Sequence, residues 1–225
     1  MNAVTIFLSL LPGFAWLLFY LHEDLHPEPR RLILMTFIVG MAFAFFAIAA
    51  ELFLNPLLQG IGIMKLSVIS LLVLGFVEEF CKFNAAHLVV HHNPAFDEPV
   101  DAMIYMVVAS LGFATLENIG AVGNLQNTQT ALLSSVFQVA SLRFVGATLL
   151  HSLTSALVGY FWAIGIRDIQ PKRFLAIGLL IATVLHAAFN YLIINYGNVI
   201  YTVVFLAVIG FFVLSDFEAL KRRAL

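Results

Sequence analysis

The chain has 225 residues, 62% of them hydrophobic and 11% charged, with a formal net charge of −2 and a mean hydropathy of +1.00. Soluble domains carry about twice that charge fraction, so the bilayer is the main solvent here, and the length leaves no room for a second sizeable soluble domain. The charge balance argues against a nucleic-acid partner, and the single Cys81 excludes an intrachain disulfide and a multi-cysteine metal cluster.

A helix needs roughly 20 apolar residues to cross the hydrocarbon. Seven spans are expected, at about 4–21, 32–54, 66–90, 100–122, 144–166, 174–195 and 199–214. The fold class that follows is all-α, a polytopic transmembrane helix bundle forming one domain over 1–225. Span 1 lacks a basic leader and a small-residue cleavage site, so it reads as a retained span. Pro27 and Pro29 turn the chain into span 2, which carries Glu51 near its end and is expected to stop at Asn55-Pro56. The stretch 131–166 is too long for one span. It splits into a short interfacial or re-entrant helix at 131–142 and span 5. Basic residues set the orientation. Arg30, Arg31, Arg167, Lys172, Arg173 and the Lys221-Arg222-Arg223 tail fall on one side, against Lys65 and Arg143 on the other. That bias predicts the N-terminus outside and the C-terminus cytoplasmic.

Polar groups inside the spans carry the functional signal. Span 3 holds Glu78-Glu79-Phe80-Cys81-Lys82, and a charge at the bilayer centre costs a few kcal/mol or more. On a helix Lys82 lies i+4 from Glu78 and i+3 from Glu79, so it can neutralise one acid locally and leaves the other over. Span 4 adds Glu117-Asn118, span 5 His151, and span 6 His186 with Asn190 one turn on. At 1.5 Å per residue all of these fall in the middle-to-outer part of the bilayer.

Each group also has a plainer reading. Glu117-Asn118 suits an interhelical hydrogen-bond clamp, and Thr148, Ser155 and Gly159 put His151 on a close-packing face. Asp97, Glu98 and Asp101 suit capping of span 4. His22, His26, His91 and His92 lie at the interfaces, and Cys81 reads as a buried thiol.

Peptide hydrolysis needs an activated water, a general acid and support for an oxyanion. An intramembrane carboxylate without its own counter-ion can serve as the base. Two histidines and a glutamate are also a Zn²⁺ ligand set, with a further glutamate as base. No His-Glu-x-x-His is present, no pair of intramembrane aspartates is available, and Ser152 and Ser155 share a helix with His151. A proton- or metal-coupled transporter would also bury glutamates and histidines, but the chain has no inverted repeat. A non-catalytic protein that binds membrane segments is the third alternative.

The run Phe76-Val77-Glu78-Glu79-Phe80-Cys81-Lys82, then Phe96-Asp97-Glu98-Pro99-Val100-Asp101, then Gly112-Phe113-Ala114-Thr115-Leu116-Glu117-Asn118, His151, and His186-Ala187-Ala188-Phe189-Asn190 resembles the PrsW family of intramembrane proteases. The likeness covers nearly the whole chain in order. It implies a multi-pass peptidase of the bacterial inner membrane, acting on membrane-anchored proteins such as anti-sigma factors, with distant kinship to the CAAX prenyl endopeptidases. It also implies a catalytic set of Glu78, Glu79, His151 and His186, with Glu117 and Asn190 beside them. In the resulting scheme Glu78 activates water, Lys82 holds Glu79, and His186 with Asn190 stabilises the oxyanion. Glu117, His151 and His186 are then the metal ligands if Zn²⁺ is used; the metal and metal-free schemes both stay open. The family usually carries glycine where this chain has Ala102 and Met106, which leaves the packing at the inner end in question.

Overall fold

The computed structural model describes residues 3–22, 26–126 and 133–224. Eight helices follow one another: α1 (Ala3–Leu21), α2 (Arg30–Gly60), α3 (Val68–Val90), α4 (Pro99–Gln126), α5 (Leu133–Val145), α6 (Ala147–Arg167), α7 (Pro171–Tyr196) and α8 (Val199–Ala224). No strand occurs among the described residues, so the all-α bundle stands. Six segments are long and apolar enough to cross a membrane: α1, α2, α4, α5 and α6 together as one broken helix, α7 and α8. Helix α3 has the length, 23 residues or about 34 Å, and is set apart by the charges at its middle.

The centre of the bundle is α4, where every residue from 100 to 115 is buried. A helix apolar on all sides belongs in such a place. It lies against α1, α2 and α6, and less extensively against α3. Small residues let these backbones meet. A Cβ on Gly40 would run into the Ala109 carbonyl, and one on Gly112 into the Phe37 carbonyl, so α2 and α4 cross through reciprocal glycines. Ala102 is accommodated because α6 supplies the small residue, and Met106 is fully buried. A Cβ on Gly159 would lie 2.5 Å from the Ala102 carbonyl oxygen.

Several boundaries differ from the sequence expectation, among them the end of α4, at Gln126 rather than 122, and the start of α7, at Pro171 rather than 174. Helix α2 passes through Pro56 and ends at Gly60. Proline removes only the bond to the carbonyl of Leu52, on an exposed residue near the end of the helix. Helix α8 continues past 214 into the charged tail, where Phe217 and Leu220 are buried and Phe217 meets Tyr20 at 5.9 Å. The break between α5 and α6 falls at Gly146 rather than at 142–144. The start of the 131–142 segment lies outside the described residues, as do Glu23, Asp24 and Leu25. At the start of α4, Asp101 Oδ2 reaches back to accept the N–H groups of Asp97 (3.0 Å) and Glu98 (2.8 Å).

Candidate active site

Helix α3 turns Gly75, Glu79, Lys82 and Ala86 inward at i+3/i+4 spacing. Ser67 caps its start by accepting the N–H of Ser70 at 3.3 Å. The side chains of Glu79 and Lys82 are wholly buried, with Lys82 Nζ 2.8 Å from Glu79 Oε1. Thr154 of α6 donates to the same oxygen at 3.1 Å, and His186 Nδ1 of α7 lies 2.8 Å from it. A buried ion pair is tolerated when further hydrogen bonds support it, and α6 and α7 supply them here, all on Oε1, while Glu79 Oε2 has no partner.

Glu78 is the acid left over. Its Oε2 lies 3.5 Å from Lys82 Nζ, 3.6 Å from His186 Nε2 and 3.9 Å from His151 Nδ1. That oxygen is buried and has no hydrogen-bond partner. His151 Nδ1 is 2.6 Å from Lys82 Nζ, and its Nε2 is 2.9 Å from Glu117 Oε2. An ammonium only donates and a carboxylate only accepts. His151 therefore accepts at Nδ1 and donates from Nε2 to Glu117. By the same rule His186 donates from Nδ1 to Glu79, and its Nε2 faces Glu78 Oε2 at 3.6 Å. The two imidazoles meet edge to face at 5.2 Å.

Carboxylates and imidazoles from α3, α4, α6 and α7 thus meet in one cluster. Within it, one donor atom each from Glu78, His151 and His186 lie within 4.8 Å of one another. Each histidine has its outer nitrogen held by a carboxylate, Glu79 for His186 and Glu117 for His151, an arrangement common around metal-binding imidazoles. Glu117 stands behind His151. Asn190 is half-buried on α7 one turn beyond His186, and no hydrogen bond among the described residues ties it to the cluster.

Two groups were not singled out from sequence. Arg143, expected in an outer loop, reaches in from the end of α5. Its Nη2 donates to Glu117 Oε2 at 3.0 Å and its Nε donates to Asn118 Oδ1, while Asn118 donates to Thr148 at 3.1 Å. The signal available was its position inside an otherwise apolar stretch. Glu51 of α2 comes within hydrogen-bonding reach of Glu78 and faces Glu117 and His186. Placing the span end at 54 put it near the surface, whereas α2 runs on for two more turns.

Ala44, Ala47 and Phe113 pack with Val77, Cys81 and Leu116 into an apolar floor. Phe113 faces the Lys82 ammonium at 4.9 Å. Cys81 is half-buried in that floor. Of the interfacial histidines, His91 and His92 are exposed, and His26 pairs with Glu98 at 2.6 Å. On the α5 side of the cluster the side chains of Glu117 and Arg143 are 24% and 22% exposed.

The family model described as "PrsW family intramembrane metalloprotease" matches residues 28–215. The chain is similar to the proteins named "Protease PrsW" from Geobacillus kaustophilus, at 29% identity over 187 residues, 81% of this chain and 76% of that one, and from Bacillus subtilis, at 28% over 196 residues, 86% and 84%. The protein of that name from Clostridioides difficile is 26% identical over 169 residues, 74% and 68%. No solved structure matches.

Proposed function

Because the chain belongs to the PrsW family of intramembrane proteases, it is a multi-pass membrane peptidase, and we propose that it cuts a membrane-anchored protein using a zinc ion held by Glu78, His151 and His186. The observation that carries this reading is the convergence of three donor atoms whose histidines are already anchored from behind by Glu79 and Glu117. The orphaned Glu78 Oε2 fits the same reading, as does a mixed carboxylate–imidazole set, which suits Zn²⁺. Lys82 competes at one point, since its ammonium sits on His151 Nδ1.

The chain's own residues do the positioning. Glu79, neutralised by Lys82 and braced by Thr154, fixes the His186 ring so that Nε2 points into the cluster. Glu117, held by Arg143, does the same for His151. The apolar floor keeps the reacting bond at a set depth, and Asn190 stands one turn along α7 as the oxyanion donor. A bound Zn²⁺ supplies polarisation of the scissile carbonyl and an activated water. A bacterial inner membrane, with the N-terminus outside and the C-terminus in the cytoplasm, accords with the basic residues at the α1–α2 turn, the α6–α7 turn and the tail. The substrate class is a membrane-anchored regulatory protein such as an anti-sigma factor.

Metal analysis of the purified protein tests the reading. About one zinc per chain is expected in the wild type, lost in Glu78→Gln and His186→Ala, with activity abolished by a chelator and restored by Zn²⁺. A metal-free preparation with full activity would eliminate the zinc scheme and return Glu78 to the role of base. Comparing membrane proteomes of cells carrying the wild type and Glu78→Gln identifies the substrate by the fragments that vanish.

A further inference from the structure

We propose that the groove between α1 and α2 binds one anionic phospholipid, with an acyl chain lying along the groove and the phosphate on Arg30. The site is independent of the chemistry at Glu78. Helices α1 and α2 are consecutive, yet they barely touch each other, because each packs on α4 instead. A Cβ on Gly13 of α1 would run into Thr115, and one on Gly40 of α2 into the Ala109 carbonyl. Two close crossings on a shared partner leave a groove of about 440 Å³ between the pair.

Its dimensions suit one leaflet. One wall runs from Leu10 to Leu21 and the other from Arg30 to Met41, each about 17 Å at 1.5 Å per residue. The hydrocarbon of a bilayer is about 30 Å thick, so the groove reaches from the α1–α2 turn to about the midplane. That is the depth of a single lipid chain, whereas a spanning helix needs the full thickness. Beyond the turn the lining is wholly apolar, with Phe14 stacked on Phe37 at 5.5 Å.

At the turn the groove ends in positive charge. Arg30 lines it and Arg31 follows. Both are exposed, and neither forms an ion pair among the described residues. They open α2, whose Pro29 cap makes no side-chain hydrogen bond, so the helix adds its own positive end there. Glu28, the acid in the lining, accepts the hydroxyl of the buried Tyr105 and is thereby engaged with α4. A phosphodiester offers the paired oxygens that a guanidinium fork grips. A zwitterionic headgroup adds an ammonium that the two arginines repel, so this mouth selects an anionic lipid.

The test uses the purified full-length chain in detergent, titrated with phosphatidylglycerol, with phosphatidylcholine of the same acyl chains, or with inorganic phosphate. Native mass spectrometry counts bound lipid, and a thermal melt reads stability. Wild type is expected to hold one phosphatidylglycerol per chain in preference to phosphatidylcholine and to melt higher with it, with no response to inorganic phosphate. Arg30→Gln is expected to weaken phosphatidylglycerol about fivefold and leave phosphatidylcholine unchanged, while Arg30→Lys recovers most of the preference. Leu34→Trp and Ile38→Trp fill the groove from exposed positions and are expected to weaken both lipids.

Equal retention of the two lipids by wild type overturns the assignment, as does a preference unchanged in Arg30→Gln. An equal response to inorganic phosphate overturns it too, in favour of a bare anion site. So does retained lipid in both tryptophan variants with loss of the Glu78-dependent fragments, which would give the groove to the substrate.

Discussion

The two ends of the polar cluster differ in how they meet solvent. At one end Glu79 and Lys82 have no exposed side-chain surface and are closed in by Thr154 and His186. At the other, Glu117 and Arg143 are each about a quarter exposed, on the side where α5 joins the bundle. Glu78 lies between them, with 12% of its side chain exposed. The sealed end fixes orientation, because charges removed from water hold their partners firmly and break at high cost. The other end is partly solvated, so screening by water weakens its ion pair relative to the sealed one.

That contrast is most exposed to failure at Lys82. Lys82→Met leaves Glu79 buried without its cation and is expected to cost about 3–5 kcal/mol of stability, read as a lowered thermal midpoint in detergent, with activity lost alongside. Adding Glu79→Gln to it should recover much of the stability but not the activity. A single variant as stable as wild type would mean that the sealed end has no structural role.

Arg143→Gln sharpens the other side. Cleavage is expected to fall about 10–100-fold, as for partners that orient a metal-bound histidine, with stability changed by less than about 1 kcal/mol. Arg143→Lys should recover part of the loss. A change in stability as large as that of Lys82→Met would erase the distinction between the ends.

The smallest effect is expected at Thr154. Thr154→Val removes one hydrogen bond from an oxygen that keeps two others, at a cost of about 1 kcal/mol, with cleavage retained. The same thermal melts and fragment measurements report it.

Much of the site was legible because helical periodicity and the cost of intramembrane charge act locally. Glu78, Glu79 and Lys82 were read from i+3/i+4 spacing and apolar context, and His186 from its span. The glycine crossings of α2 and α4 were not, because a small residue tells nothing of which backbone will approach it. Arg143 and Glu51 escaped for a different reason. Each lies near an expected span boundary, where a charge usually means the surface, and only the true helix ends place them in the bundle.

The sequence by itself determined that this protein is a helical bundle in a bilayer, and which side chains are too costly to bury there without partners. Both follow from residue chemistry against one solvent. Only the tertiary structure decided the partnerships: that Glu79 backs His186 while Glu117 backs His151, that Lys82 reaches both Glu79 and His151, and that Glu51 comes to face Glu78. Those depend on the rotation and relative height of helices far apart in the chain, which packing against α4 sets and no local pattern encodes.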